Sequence, residues 1–288
     1  MSIAVITFTF DPFVQLFGDL SVRWGAIALT VVITVAIVLA GLLARGAGLR
    51  ADDVVFITVG VVPGAVIGGR VGYLLLHPGF ANGDLARLID PSIGGLELGL
   101  AVVGGTLTGS YVAGLLRSAP LGRWLHLAAA PALLAIGAGK LTMILTGSGQ
   151  GVPSDAAWAT AYLGPGPWGS LVPGLPSVPS QAIEGVATLA ILVVLTLSLV
   201  AGAFRGRDGR LFFVGIGLWA IARAAISTTW RDEAVLAGLP AGGLIAVAIA
   251  LGCLLATLVI TVRRHRADAA EAQRGDLSWP DPEARPRF

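Results

Sequence analysis

Residues 54–76 read VVFITVGVVPGAVIGGRVGYLLL, an apolar run broken by a single charge at Arg70. A run of this length crosses a bilayer as one α-helix, because about 20 apolar residues span a hydrocarbon core of about 30 Å. Within it Gly60, Gly64, Gly68 and Gly72 recur every four residues. They form one smooth face that lets a neighbouring helix approach closely in lipid. The stretch therefore predicts a membrane helix with a close packing partner and one ionisable group at membrane depth.

Comparable runs lie at about 22–44, 95–116, 124–147, 180–204, 211–229 and 235–262. The expected fold is an all-α integral membrane protein with seven transmembrane helices. Composition agrees: 55% of residues are hydrophobic and 12% charged, where soluble proteins have about 25% charged. Mean hydropathy is +0.84. The first run has no basic residue ahead of it and no convincing cleavage site after it, so it reads as a retained span. Residues 1–266 are expected to form the membrane domain. Residues 267–288 are polar and mixed in charge, and are expected to form a disordered cytoplasmic tail. The single cysteine, Cys253, excludes an intramolecular disulfide and a cysteine metal cluster.

Basic residues orient the spans. One set of loops holds Arg45 and Arg50, Arg117 and Arg123, Arg205, Arg207 and Arg210, and Arg263, Arg264 and Arg266. The opposite set holds little beyond Arg87 and Arg231. The positive-inside rule then puts the N-terminus outside and the C-terminus in the cytoplasm. The calculated pI of about 9.1 comes mostly from these loops and is no sign of a nucleic-acid partner.

With that orientation, Arg70, Glu97, Lys140, Glu184 and Arg223 all fall toward the outer side. A charge at membrane depth costs at least about 2.5–3.5 kcal/mol on insertion scales, so it is rarely kept without a partner or a task. Three positive and two negative charges would suit an anionic lipid headgroup; the bland alternative is snorkelling at helix ends. Gly68-Gly69-Arg70 could bring backbone and a bidentate guanidinium to a phosphate. For most of the glycines, including Gly104, Gly105 and Gly109 in the third span, helix packing is the better reading. The Gly- and Pro-rich segment 148–180 interleaves Trp158, Tyr162 and Trp168. It is expected to lie along the outer interface, as a cap over a site or as a long loop held by its aromatics. Of the histidines, only His77 falls on the outer side, and it reads as a surface residue beside Pro78.

The run Gly68-Gly69-Arg70-Val71-Gly72-Tyr73 resembles the second-span signature of prolipoprotein diacylglyceryl transferases. Further matches follow in order. Arg23-Trp24-Gly25 opens the first span, without the family's tyrosine between the aromatic and the glycine. Gly94-Gly95-Leu96 and Gly104-Gly105 frame the start of the third. Gly137-Ala138-Gly139-Lys140-Leu141 is similar to the glycine-rich run of the fourth, and Gly151 follows it. Pro179-Ser180-Gln181, with Glu184, resembles the motif opening the fifth, and Arg223 falls where the family has an arginine in the sixth. The match covers about residues 10–262.

The resemblance implies a multi-pass protein of the bacterial cytoplasmic membrane that moves diacylglyceryl from phosphatidylglycerol to the thiol of a lipobox cysteine in a preprolipoprotein. It implies no metal or organic cofactor. By the same resemblance Arg70, Lys140, Arg223 and Glu184 would carry the chemistry. Arg70, Gly69, Tyr73, Gly104, Gly105, Lys140, Gly151, Ser180, Gln181 and Arg223 would contact substrate. Basic groups would hold the phosphate and stabilise charge as it leaves, and a base or polarising group would help the thiol become the nucleophilic thiolate.

Several family positions differ. Val103 replaces a histidine, Lys140 an arginine, Met143 an asparagine and Ser148 an acid. Val178 replaces a histidine before Pro-Ser-Gln, Ile183 a tyrosine and Ser227 an acid. Two main readings follow: a divergent transferase, or a catalytically degenerate member that binds anionic phospholipid or a lipoprotein precursor. A small-solute transporter is a third reading, but the sequence shows no inverted repeat or paired broken helices.

Overall fold

The computed structural model describes residues 5–18, 20–80 and 95–277. Arg87, Gly94 and tail residues 278–288 lie outside them. Seven helices are long and apolar enough to cross a membrane among the described residues. They are α1 (Trp24–Gly46), α2 (Ala51–Leu76), α3 (Leu98–Leu116), α4 (Leu121–Thr142), α5 (Ser180–Val200), α6 (Arg210–Ser227) and α7 (Ala241–Leu277). Short strands decorate one end: β1 (Ile6–Phe8), β2 (Phe13–Phe17), β3 (Leu20–Arg23), β4 (Thr160–Tyr162), β5 (Ala234–Leu236) and β6 (Leu239–Pro240). β1 pairs with β4 in parallel; β2 with β3 and β5 with β6 form antiparallel hairpins.

The seven expected spans correspond one to one with these helices, with shifted ends. The third begins at Leu98, not 95, because Glu97 caps it: its carboxylate accepts from the Gly99 and Leu100 backbone N–H groups at 2.7 and 2.6 Å. That satisfies two otherwise unpaired donors and puts negative charge at the positive end of the helix dipole. The seventh starts later, after the β5–β6 hairpin, and runs on to Leu277. The first part of the expected tail is therefore helical.

The glycine faces are packing faces. Side chains at Gly64, Gly68 and Gly104 would collide with Thr108, with the Leu100 carbonyl and with the Gly64 carbonyl respectively. A Cβ at Gly105 would lie 3.2 Å from the Val61 side chain and 3.3 Å from that of Ala65. α2 and α3 thus touch backbone to backbone, the contact that small residues permit in lipid. The main core gathers Leu133, Leu195, Ile216, Trp219 and Cys253 from α4 to α7. Val31, Val35 and Leu42 of α1 and Leu251, Leu255 and Leu258 of α7 are exposed, as lipid-facing residues should be.

One end of the bundle collects the basic loops. Arg123 at the start of α4 donates to the Ala47 carbonyl beyond α1. Arg264 of α7 reaches Asp208, just before α6, at 3.3 Å. The opposite end carries the strands and segment 148–178.

Candidate functional site

Four of the five ionisable residues singled out in the sequence form one buried chain of ion pairs at the strand-bearing end. Arg223, from the last turns of α6, is 4% exposed. Its Nη1 donates to Glu184 Oε1 at 2.7 Å and its Nη2 to Glu97 Oε1 at 3.0 Å. Lys140 Nζ, near the end of α4, lies 2.9 Å from the other oxygen of Glu184. Helices α4, α5 and α6 and the cap of α3 thus meet through charges. None of these groups snorkels: Glu97 and Glu184 are 6% and 1% exposed. The Trp230 ring covers Arg223, with its centroid 4.6 Å from the guanidinium carbon.

Arg70 stands beside this chain. It is 7% exposed, approaches the Gly95 carbonyl at 3.5 Å and sits over the rings of Phe80 and Tyr73. Its helix touches the network at Glu97, whose backbone N–H donates to the Gly69 carbonyl at 2.8 Å. Tyr73 packs against Gly95 and stacks on His77 at 4.2 Å between centroids. His77 is exposed.

A cavity of about 300 Å³ opens against the ion pairs. Lys140, Glu184, Arg223 and Gln181 form its membrane-side wall; Gly149, Gln150, Gly169, Ser170 and Leu171 close it from segment 148–178, and Trp230, Arg231 and Asp232 from beyond α6. Of the two readings of that segment, the capping one matches. Its aromatics, however, do not all face an interface. Tyr162 is 2% exposed, stacked on Phe8 and packed against a tilted Trp168 with centroids 4.9 and 4.8 Å away. Burial pushes its hydroxyl pKa up to about 12. Only Trp158 is half exposed.

The expected substrate contacts scatter, and Arg70 and Tyr73 are not among the residues lining the cavity. Lys140, Arg223, Gln181 and Glu184 share the cavity. Gly69, Gly104 and Gly105 lie in the α2–α3 contact instead, because their lack of a side chain is consumed by helix packing. Gly151 is buried beneath Ser180 and Thr229, and the Ser180 hydroxyl is bonded to Thr229 Oγ1 at 2.7 Å. Gln150, Ser170 and Arg231, none of them a candidate site residue from sequence, also line the cavity. Arg231 ties the cap down, donating to the Gly151 carbonyl at 2.7 Å and Ser177 Oγ at 2.9 Å. No periodicity marks such loop residues; only the fold brings them to the cavity.

Among the described residues no group of three or more His, Cys, Asp or Glu side chains is arranged to hold a metal ion. The chemistry on offer is that of cations, carboxylates and amides. Bound anions would meet Lys140 and Arg223, whose own partners are the two glutamates.

Comparison with known proteins identifies the family. Residues 12–261 match the family model described as prolipoprotein diacylglyceryl transferase. The chain is 26% identical over 269 residues to the phosphatidylglycerol–prolipoprotein diacylglyceryl transferase of Geobacter sulfurreducens, covering 89% of this chain and 96% of the relative. It is 29% identical over 273 residues to the enzyme of the same name from Azospirillum brasilense, covering 90% and 96%. The Nitrobacter hamburgensis relative is 26% identical over 295 residues, with 94% of each chain covered. A match spanning nearly all seven helices and every member of the buried charge network is a match of the whole fold, and the chain belongs to the prolipoprotein diacylglyceryl transferase family.

Proposed function

We propose that the chain is a divergent phosphatidylglycerol–prolipoprotein diacylglyceryl transferase whose donor lipid places its phosphate at Lys140. The observation that carries this is the 300 Å³ cavity walled by Lys140, Arg223 and Glu184. An ammonium has several donors, so Lys140 can meet a phosphate oxygen while it keeps Glu184. Arg223 is held by two carboxylates and supplies a fixed positive field with little reorganisation. Arg70 adds a further buried cation behind Glu97.

In the reaction the acceptor's thiolate sulfur attacks the glycerol carbon that bears the phosphate ester. The sulfur–carbon bond forms, the carbon–oxygen bond breaks, and glycerol phosphate leaves with the electron pair. Lys140 stabilises the charge on that leaving phosphate. The thiol proton goes to a basic group, and Glu184 is a carboxylate on the cavity wall that can take it. The basic loops at the other end support an N-out, C-in orientation by the positive-inside rule. The cavity would then face the extracytoplasmic side, where a translocated preprolipoprotein presents its lipobox.

A second reading rests on Val103, Met143 and Ile183, which put apolar side chains where the family has polar ones. On it, the chain binds anionic phospholipid or a lipoprotein precursor without turnover. The deciding experiment follows labelled diacylglyceryl from phosphatidylglycerol to a lipobox peptide, with purified protein in lipid and a Lys140→Met control. Transfer that falls strongly in the control supports the enzyme. No transfer by folded protein that still binds the lipid overturns it and favours the binding member.

A further inference from the structure

Gln181 is 1% exposed, and both atoms of its amide lack a hydrogen-bond partner among the described residues. The Oε1 of Gln150 and the Oγ of Ser170 are buried and unpartnered in the same way. All three residues line the one cavity beside Lys140 and Arg223. Buried amides are normally satisfied, because leaving them bare forfeits the hydrogen bonds they make to water. Gln150 is already half committed: its Nε2 donates to the Thr160 carbonyl at 2.7 Å. Gln181 lies close enough to the Tyr162 hydroxyl to favour that group's ionised form, without a bond of ordinary length. A bond there would engage one amide atom of Gln181, Nε2 donating or Oε1 accepting, and leave the other bare, while Gln150 Oε1 stays unpartnered in either case.

We propose that Gln181, Gln150 and Ser170 form a hydroxyl-recognising subsite that reads the glycerol end of the lipid headgroup, beside the cations that take its phosphate. The decisive point is the polarity of the bare atoms. Two are amide oxygens, which accept hydrogen bonds. An ionised phosphodiester offers no donor, so it cannot satisfy them. A hydroxyl both donates and accepts, and a vicinal pair can meet the amide oxygen and the amide N–H of Gln181 together. Position fits as well. Gln181 precedes Glu184 by three residues on α5, so the two side chains share a helix face about 5–6 Å apart. Glu184 holds Lys140, which puts Gln181 about one headgroup's reach from a phosphate at that ammonium. The cavity, about 300 Å³, is at the small end of ligand sites and suits a headgroup more than acyl chains.

This rests on the phosphate reading above, and the test separates the two. Detergent-solubilised full chain would be titrated with short-chain phosphatidylglycerol and with short-chain phosphatidylmethanol, which carries the same single charge but no headgroup hydroxyl. The wild-type protein should prefer phosphatidylglycerol by about tenfold. Gln181→Met should cut that preference to about twofold by weakening phosphatidylglycerol alone, with phosphatidylmethanol affinity unchanged. Ser170→Ala, a milder change, should lower it by about threefold and serves if Gln181→Met does not fold. Equal affinity of wild type for the two lipids overturns the subsite and leaves the phosphate reading standing. So does an equal loss for both lipids in Gln181→Met. Failure of wild type to bind either lipid overturns both.

Discussion

The two ends of this bundle use the same residue types to opposite effect. At one end Arg223 is 4% exposed and held between Glu97 and Glu184. At the other, Arg264 leaves 42% of its side chain exposed and leans on Asp208 at 3.3 Å. Coulomb attraction between exposed charges is screened by water and salt and contributes about 0–1 kcal/mol. The buried network is different in kind. Its groups have given up their water, so each depends on its partners, and removing one strands the rest. The difference teaches that charge in this chain is informative where solvent is absent. The arginines of the basic end lie on solvated loops, whereas Arg223 at the buried end is locked between two carboxylates.

The comparison can be broken most directly with one matched pair of substitutions. Arg223→Met strands two buried carboxylates and should cost about 3–5 kcal/mol, whereas Arg264→Met should cost less than about 1 kcal/mol. Thermal unfolding in detergent reads both, and equal losses would erase the distinction. A second pair asks what holds the buried end in register. Gly104→Ala drives a methyl into the Gly64 carbonyl and should destabilise by about 1–3 kcal/mol. Gly114→Ala, on the same helix with open space around it, should be neutral or slightly stabilising. A smaller contrast concerns lipid. Arg70→Ala should weaken anionic-lipid binding by about tenfold and Arg117→Ala, at the basic end, by little; equal losses would remove Arg70 from the proposed site.

The smallest effect belongs to Asp208. Partial burial pushes its carboxyl up, but bonds from Arg210 and Arg264 and the Arg210 charge outweigh that, so the folded pKa lies below the ordinary 3.8. A depressed folded value means that its contribution is complete above pH 3.8 and fades as the pH falls through the folded value. Asp208→Asn should therefore lower stability slightly at neutral pH and not at all at strongly acid pH. The difference should shrink further in high salt. An acid-side loss as large as that of Arg223→Met would contradict the exposed character of this end.

Much of the architecture was local information. The seven spans follow from apolar run length, because the bilayer sets that length. The α2–α3 contact follows from glycines four apart, because the helix repeat aligns them on one face. Even the gathering of five charges at the end opposite the arginine-rich loops was legible from residue positions along the spans. The helix boundary at Glu97 was only half legible, since the acid is visible in the sequence but its capping bonds are not.

Tertiary structure alone decided which charge meets which. Arg223 finds Glu97 across 126 positions and Glu184 across 39, and no periodicity links residues so far apart. It also decided that segment 148–178 folds inward as a cap, burying Tyr162 against Phe8, where composition alone allowed a loop lying on the interface. And it separated the candidate contacts, sending Gly69, Gly104 and Gly105 into a helix seam and leaving Gln181 bare on a cavity wall. Sequence determines what each segment can do in a bilayer, because that depends on neighbours along the chain. Whether a polar atom ends with a partner depends on every helix packed around it, and only the assembled bundle settles that.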